Sequence, residues 1–194
     1  MKTSPRLTEH ESLQDLAIPA FALGRLVHWL GSVHNDMYAE TVREIKRLLD
    51  KDVAEPITLV VTSPGGATGI AMSFYDMMRK VYRPTLHTIG SGDVDSSGLI
   101  IFLAGERRYI TPHTTLFLHL AGRTFDTARR FSTSDMESIL KEDKLKDLHY
   151  ASVVSDRSGG RLSRAKVLEL MAGNTVLTAV EAKEYGLAHH ILSV

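Results

Sequence analysis

From residue 25 onward the chain alternates short β-rich apolar runs with stretches whose apolar positions recur every three to four residues. Arg25–Leu30 reads as a strand closed by Gly31. Met37, Val42, Ile45, Leu48 and Leu49 then fall at helical spacing, with Arg43, Glu44, Lys46 and Arg47 facing outward and Asp36 as the expected cap. Ile57–Val61 is a continuous apolar run, the pattern of a parallel strand covered on both faces. Ser63-Pro64-Gly65-Gly66 follows, and then a helix from about Thr68 to Val81. Thr85–Ile89 predicts the next strand. Gly90-Ser91-Gly92 reads as a glycine-rich turn into a buried helix that ends near Gly105. Arg107–Thr111 and Thr115–Leu120 read as two short strands, and residues 133–157 as a long helix packing through Met136, Ile139, Leu140, Leu145 and Leu148. Two short helices, Ser163–Met171 and Ala179–Tyr185, close the chain; the second opens on the capping box Thr178-Ala179-Val180-Glu181 and leaves through Gly186. Strands alternating with helices in this way predict an α/β domain with a largely parallel sheet.

Composition narrows the function. The 194 residues fit one domain, expected over 25–194 behind an N-terminal arm or axial segment, residues 1–24. Residues 1–15 are polar, and Leu16–Leu23 is a short apolar stretch broken by Pro19, read as a docking segment. Lysine plus arginine equal aspartate plus glutamate at 23 each, which argues against a nucleic-acid or anionic-membrane partner. No apolar run approaches the ~20 residues that cross a bilayer. The absence of cysteine excludes disulfides and thiolate chemistry and suits a cytoplasmic location.

The candidate chemistry lies at the two glycine-rich stretches, because ligands of open α/β sheets bind beyond the carboxyl ends of strands. Gly65-Gly66 offers backbone N–H groups unobstructed by side chains, as an oxyanion hole requires, or a tight strand-to-helix turn. Ser96-Ser97-Gly98 falls where a helix begins; there a hydroxyl sits in the positive end of the helix field, or Asp95 and the serines cap the helix. His119 ends the run Leu116-Phe117-Leu118, and alternation puts it on the face of Phe117, expected inward. A serine at a helix start, a histidine at a strand end and two glycine stretches together are the parts that acyl transfer needs.

These motifs resemble the proteolytic subunit of the Clp protease family. The resemblance rests on Ser63-Pro64-Gly65-Gly66, Phe74-Tyr75-Asp76, Gly92-Asp93-Val94-Asp95-Ser96-Ser97-Gly98, Leu103-Ala104-Gly105, the strand ending in His119, and Leu177-Thr178-Ala179 with Glu181-Ala182 and Glu184-Tyr185-Gly186-Leu187. It runs through about residues 25–193. It implies a ClpP/crotonase-like fold with a protruding helix used in ring assembly, and a serine peptidase that cleaves peptides or unfolded polypeptides inside an oligomeric chamber. Carried over residue by residue, Ser96 is the nucleophile, His119 the general base, and the N–H groups of Gly66 and Ser97 the oxyanion hole. Neither metal nor cofactor is implied. The implied partners are further copies of the chain, in a heptamer or double ring, and an AAA+ unfoldase.

The pattern also departs from the family. The third triad position falls on Asn174, where the family usually has aspartate; an amide can orient an imidazole but lacks charge for the imidazolium. Asp93 and Asp95 stand where the family has neutral residues; Asp95 reads as a helix cap, with a charge aimed at His119 as the other option. Ala172-Gly173 replaces an acid-arginine pair linked to ring contact, and residues 1–24 do not resemble the family's axial region. These departures motivate an alternative: a weakly active or non-catalytic ring subunit that acts as scaffold for an active partner.

Overall fold

A computed structural model of the chain describes residues 21–125 and 130–192. The polar segment 1–15 and most of the apolar docking segment therefore lie outside the described residues. The elements are β1 (Leu26–Leu30), α1 (Asn35–Lys51), β2 (Ile57–Ser63), α2 (Thr68–Asp76), β3 (Leu86–Val94), α3 (Ser97–Leu103), β4 (Arg107–Ile110), β5 (Thr115–Leu118), α4 (Thr133–Arg157), α5 (Arg164–Ala172), β6 (Thr175–Thr178), α6 (Ala179–Glu184) and β7 (His190–Ile191).

The sheet runs β1-β2-β3-β4-β7, all parallel, with β5 pairing the end of β3 and β6 lying antiparallel to β5. The α/β expectation with a mostly parallel sheet holds. Apolar side chains from β1, β2 and β3 meet α1, α2 and α3 in one core that includes Trp29, Leu59, Phe74 and Phe102. Trp29 and Phe74 meet edge to face at 5.3 Å, the offset that aromatic quadrupoles favour. Arg25, expected to open the first strand, instead closes a short 3₁₀ turn, Leu23–Arg25; its buried guanidinium donates to the carbonyls of Leu48, Asp52, Glu55 and Pro56. That ties the entry of β1 to the end of α1.

Four further expectations change. His34, not Asp36, caps α1, its Nδ1 accepting from the Met37 N–H at 3.4 Å. Gly90-Ser91-Gly92 is not a turn: β3 runs through it to Val94, with a register irregularity against β2 between Val61 and Ser63. Gly90 is fitted to that strand, since a Cβ there would lie 3.1 Å from Val94 Cγ2. Most of the apolar stripe of α4 is left uncovered by the described residues. Met136, Leu140, Leu145 and Leu148 are exposed, and α4 is buried only at Tyr150, Ala151 and Val154, so its first half projects from the domain. Finally, the core side of β5 carries Leu116 and Leu118, whereas Phe117 and His119 share the half-buried opposite face. The alternation along β5 holds, with its inward side opposite to the expected one.

Candidate active site

Ser96 sits between β3 and α3 with φ 52° and ψ −127°, a left-handed conformation that costs a non-glycine residue of order 1–3 kcal/mol. The strain persists because both sides of the residue are held. Its N–H donates to the Phe117 carbonyl at 2.7 Å, and its carbonyl accepts from the Tyr150 hydroxyl and the Leu99 N–H, each at 3.1 Å. Asp95, just before it, donates its N–H to the Ser63 carbonyl at 2.9 Å and accepts from Gly98 N–H at 2.8 Å. A sharp strand-to-helix turn of this kind lifts a hydroxyl clear of the sheet. Ser97, by contrast, turns into the core at 1% exposure, and its Oγ has no hydrogen-bond partner among the described residues.

The Asp95 carboxylate does not cap α3; its Oδ1 accepts from the Phe117 N–H at 2.8 Å. Asp95 and Ser96 thus grip both polar groups of Phe117, and that fixes the strand carrying His119 two residues further on. Burial is the first cause that raises the Asp95 carboxyl above the usual aspartate range; neighbouring Asp93 adds to it, while the Phe117 N–H and His119 oppose it.

His119 stacks on Phe117 with ring centroids 5.0 Å apart. Its Nδ1 lies 2.7 Å from the Leu120 carbonyl oxygen. A carbonyl oxygen can only accept, so Nδ1 carries a proton in this contact, and in the neutral ring Nε2 is then the free acceptor. Ser96 and His119 line one cavity of about 230 Å³, together with Gly66, Ala67, Thr68, Ala121, Arg123, Asp143, Lys146, Asp147, Tyr150 and Met171. The two side chains share this cavity without a hydrogen bond between them.

Gly66 reaches the cavity because β1 and α1 are joined by a loop that bridges it: Val33 N–H donates to the Gly65 carbonyl at 2.8 Å, and Ala67 N–H to the Val33 carbonyl at 2.9 Å. The N–H groups of Gly66 and Ser97 make no hydrogen bond to a described residue. Both glycines are steric necessities. A Cβ on Gly65 would fall 2.6 Å from Ser96 Cβ, and one on Gly66 would fall 2.6 Å from the Val33 carbonyl oxygen.

Asn174 is exposed, with φ 50°, at the start of β6. The β5–β6 register pairs Leu118 with Thr175, so one step further sets Asn174 opposite His119. Its side chain makes no hydrogen bond to a described residue. The structure therefore brings Ser96, His119 and Gly66 to one cavity, and Asn174 is not among the residues that line it. Sequence reading missed the wall opposite. Asp143, Lys146, Asp147 and Tyr150 recur at helical spacing on one face of α4, a polar stripe passed over in favour of the apolar one.

The Clp protease family model matches residues 14–194. The chain belongs to the Clp protease family. It is similar to the ATP-dependent Clp protease proteolytic subunit 3 of Synechococcus sp. (strain CC9605), with 33% identity over 171 residues, 85% of this chain and 81% of that one. It is similar also to subunit 2 of Tropheryma whipplei (strain Twist), with 30% identity over 168 residues, 84% of this chain and 88% of that one. Among solved structures it resembles an asparagine-to-aspartate mutant of ClpP1 from Listeria monocytogenes, with a TM-score of 0.75, 23% identity, and 88% and 92% of the two chains covered. That last likeness fixes the fold, including the long projecting α4.

Proposed function

We propose that the chain is a serine endopeptidase subunit that cleaves peptides or unfolded polypeptides. The observation that carries this reading is the strained Ser96 facing the same cavity as His119, whose Nδ1 proton is held by the Leu120 carbonyl. In the reaction Ser96 Oγ attacks the scissile carbonyl while His119 Nε2 takes its proton. The resulting oxyanion receives the N–H groups of Gly66 and Ser97, a contribution that elsewhere is worth about 10²–10³ in turnover per donor. His119 then protonates the leaving amine, and water, activated by the same imidazole, hydrolyses the acyl-enzyme. In this reading Asn174 is the third member, and it brings no charge to the imidazole.

The exposed apolar stripe Met136, Leu140, Leu145 and Leu148 on α4 supports assembly into a ring or double ring of like subunits. An AAA+ unfoldase is the partner that would feed such a chamber, and the cytoplasm is where we set its work. Among the described residues no helix is long and apolar enough to cross a membrane.

A specific observation keeps a second reading in play. Asn174 replaces a charge, and Ser96 and His119 are not hydrogen-bonded, as expected of a non-catalytic subunit scaffolding an active partner. Fluorophosphonate labelling read by intact mass separates the two. A stoichiometric adduct that disappears in Ser96→Ala supports the peptidase; no adduct on folded, assembled protein overturns it in favour of the scaffold.

A further inference from the structure

The cavity beside Ser96 pairs its charges unevenly. Two carboxylates of α4, Asp143 and Asp147, line it with two cations, Arg123 and Lys146, and both cations also reach Glu142, which is not part of the lining. The pairing leaves one lining carboxylate without a cation. Arg123 holds Asp143 through Nε at 2.9 Å and 3.0 Å and also reaches Glu142; Lys146 Nζ turns to Glu142 at 2.7 Å. Those two cations hold the Glu142 carboxyl well below its usual range, at about 2, so it remains ionised. Asp147 forms no ion pair with a described residue; its Oδ1 accepts only the Ala121 N–H at 2.7 Å, and its second oxygen is unused. Asp95 lies on the Ser96 side, spent on Phe117, and His119 borders the cavity between them.

From this arrangement we infer that the peptidase selects a lysine or arginine side chain on the acyl side of the scissile bond, received by Asp147. The inference rests on the peptidase reading. A carbonyl attacked by Ser96 with its oxygen toward the Gly66 N–H leaves its own residue's side chain against this cavity. Ala67, Ala121, Met171 and the Tyr150 ring offer the apolar surface that the methylene stem of such a side chain covers, with the charged head beyond it at α4. An aliphatic side chain of equal length would meet the same stem surface, yet leave the unmatched carboxylate without a partner. Asp147 is half-buried, so the pair is partly screened and the preference is modest.

The test uses the assembled full chain and two diphenyl aminophosphonate probes, identical except that one carries the lysine side chain and the other the norleucine side chain. Each forms an Oγ–phosphorus bond at Ser96 as phenol leaves, taking the serine proton by way of His119. The lysine probe should label about fivefold faster at low salt, with the gap narrowing as ionic strength rises. Asp147→Asn, which retains an acceptor for the Ala121 N–H, should bring the ratio to about one, and Asp147→Glu should keep lysine ahead. Equal or faster labelling by norleucine overturns the inference and leaves the peptidase standing, as does labelling by fluorophosphonate alone. If fluorophosphonate also leaves Ser96 untouched, the peptidase reading falls and takes this inference with it.

Discussion

At the scale of single residues the decisive contact is a backbone one. Where an aspartate partners a catalytic histidine, its replacement by asparagine costs about 10⁴ in turnover, largely because the wrong imidazole tautomer is held. Here the Leu120 carbonyl, 2.7 Å from Nδ1, holds the useful tautomer without help from Asn174. In the proposed peptidase, what Asn174 fails to supply is charge for the imidazolium. The substitution Asn174→Asp should therefore raise kcat for a fluorogenic peptide by about tenfold, roughly 1.4 kcal/mol off the barrier. Asparagine and aspartate both tolerate the left-handed backbone at φ 50°, so the melting temperature should hardly move. A gain of a thousandfold or more would mean that Leu120 does not hold the working tautomer. An unchanged rate would remove Asn174 from the site.

At the scale of elements the site depends on two strand ends and the helices that leave them. Gly65, between β2 and α2, has φ 98°, and its missing Cβ is what lets Ser96 approach; the neighbouring Asp95 carbonyl would lie 3.2 Å from that Cβ. Gly65→Ala should slow fluorophosphonate labelling at least a hundredfold and lower the melting temperature by several degrees, since the strain alone is of order 1–3 kcal/mol. Gly69→Ala is the control. That glycine lies four residues on, inside α2, with open space around it, and alanine there should label normally and melt no lower. Much of this was legible in the sequence. The continuous run Ile57–Val61 foretold a buried parallel strand, and the resemblance to the family marked Ser96 as the candidate nucleophile. Other features were not legible, for physical reasons. Glycines at 90 and 92 look like a turn, yet glycine also serves a bulged strand hemmed in by Val94. Helical periodicity in α4 marks an apolar face without saying whether this chain or another covers it. The charged wall of the cavity arises only when Asp143 and Asp147 of α4 meet Arg123 and Ala121 across the loop after β5.

For the molecule as a whole, the edge of the sheet farthest from β1 sets its response to acid. Buried Arg108 on β4 donates to the carbonyls of Gly105, Arg157, Gly186 and Leu187, tying β4 to the end of α4 and to the approach to β7. Burial lowers its guanidinium to about 9, and nearby Arg157 adds to that. His189 sits against it and accepts the Arg108 N–H on Nδ1 at 3.0 Å, a contact open only to a neutral ring. Burial, and then Arg108, lower the imidazole to about 4, against about 6.5 in an unfolded chain. Between those values the unfolded state binds a proton that the native state refuses, so stability rises with pH across the window. It is fully present above about 6.5 and drains away toward about 4. His87, lowered by burial and by Arg107, acts in the same direction. Asp95 acts oppositely, because its raised carboxyl favours the native state while protonated and loses that advantage as pH climbs through the aspartate range. The histidines govern the upper part of the window. The melting temperature should therefore fall by a few degrees between pH 7.5 and pH 5. His189→Asn preserves an acceptor for the Arg108 N–H and titrates nowhere in this range, so its melting profile should be measurably flatter. If the variant fell as steeply as the parent, the acid sensitivity would lie elsewhere than at the β4–β7 edge, and His87 would be the next residue to change.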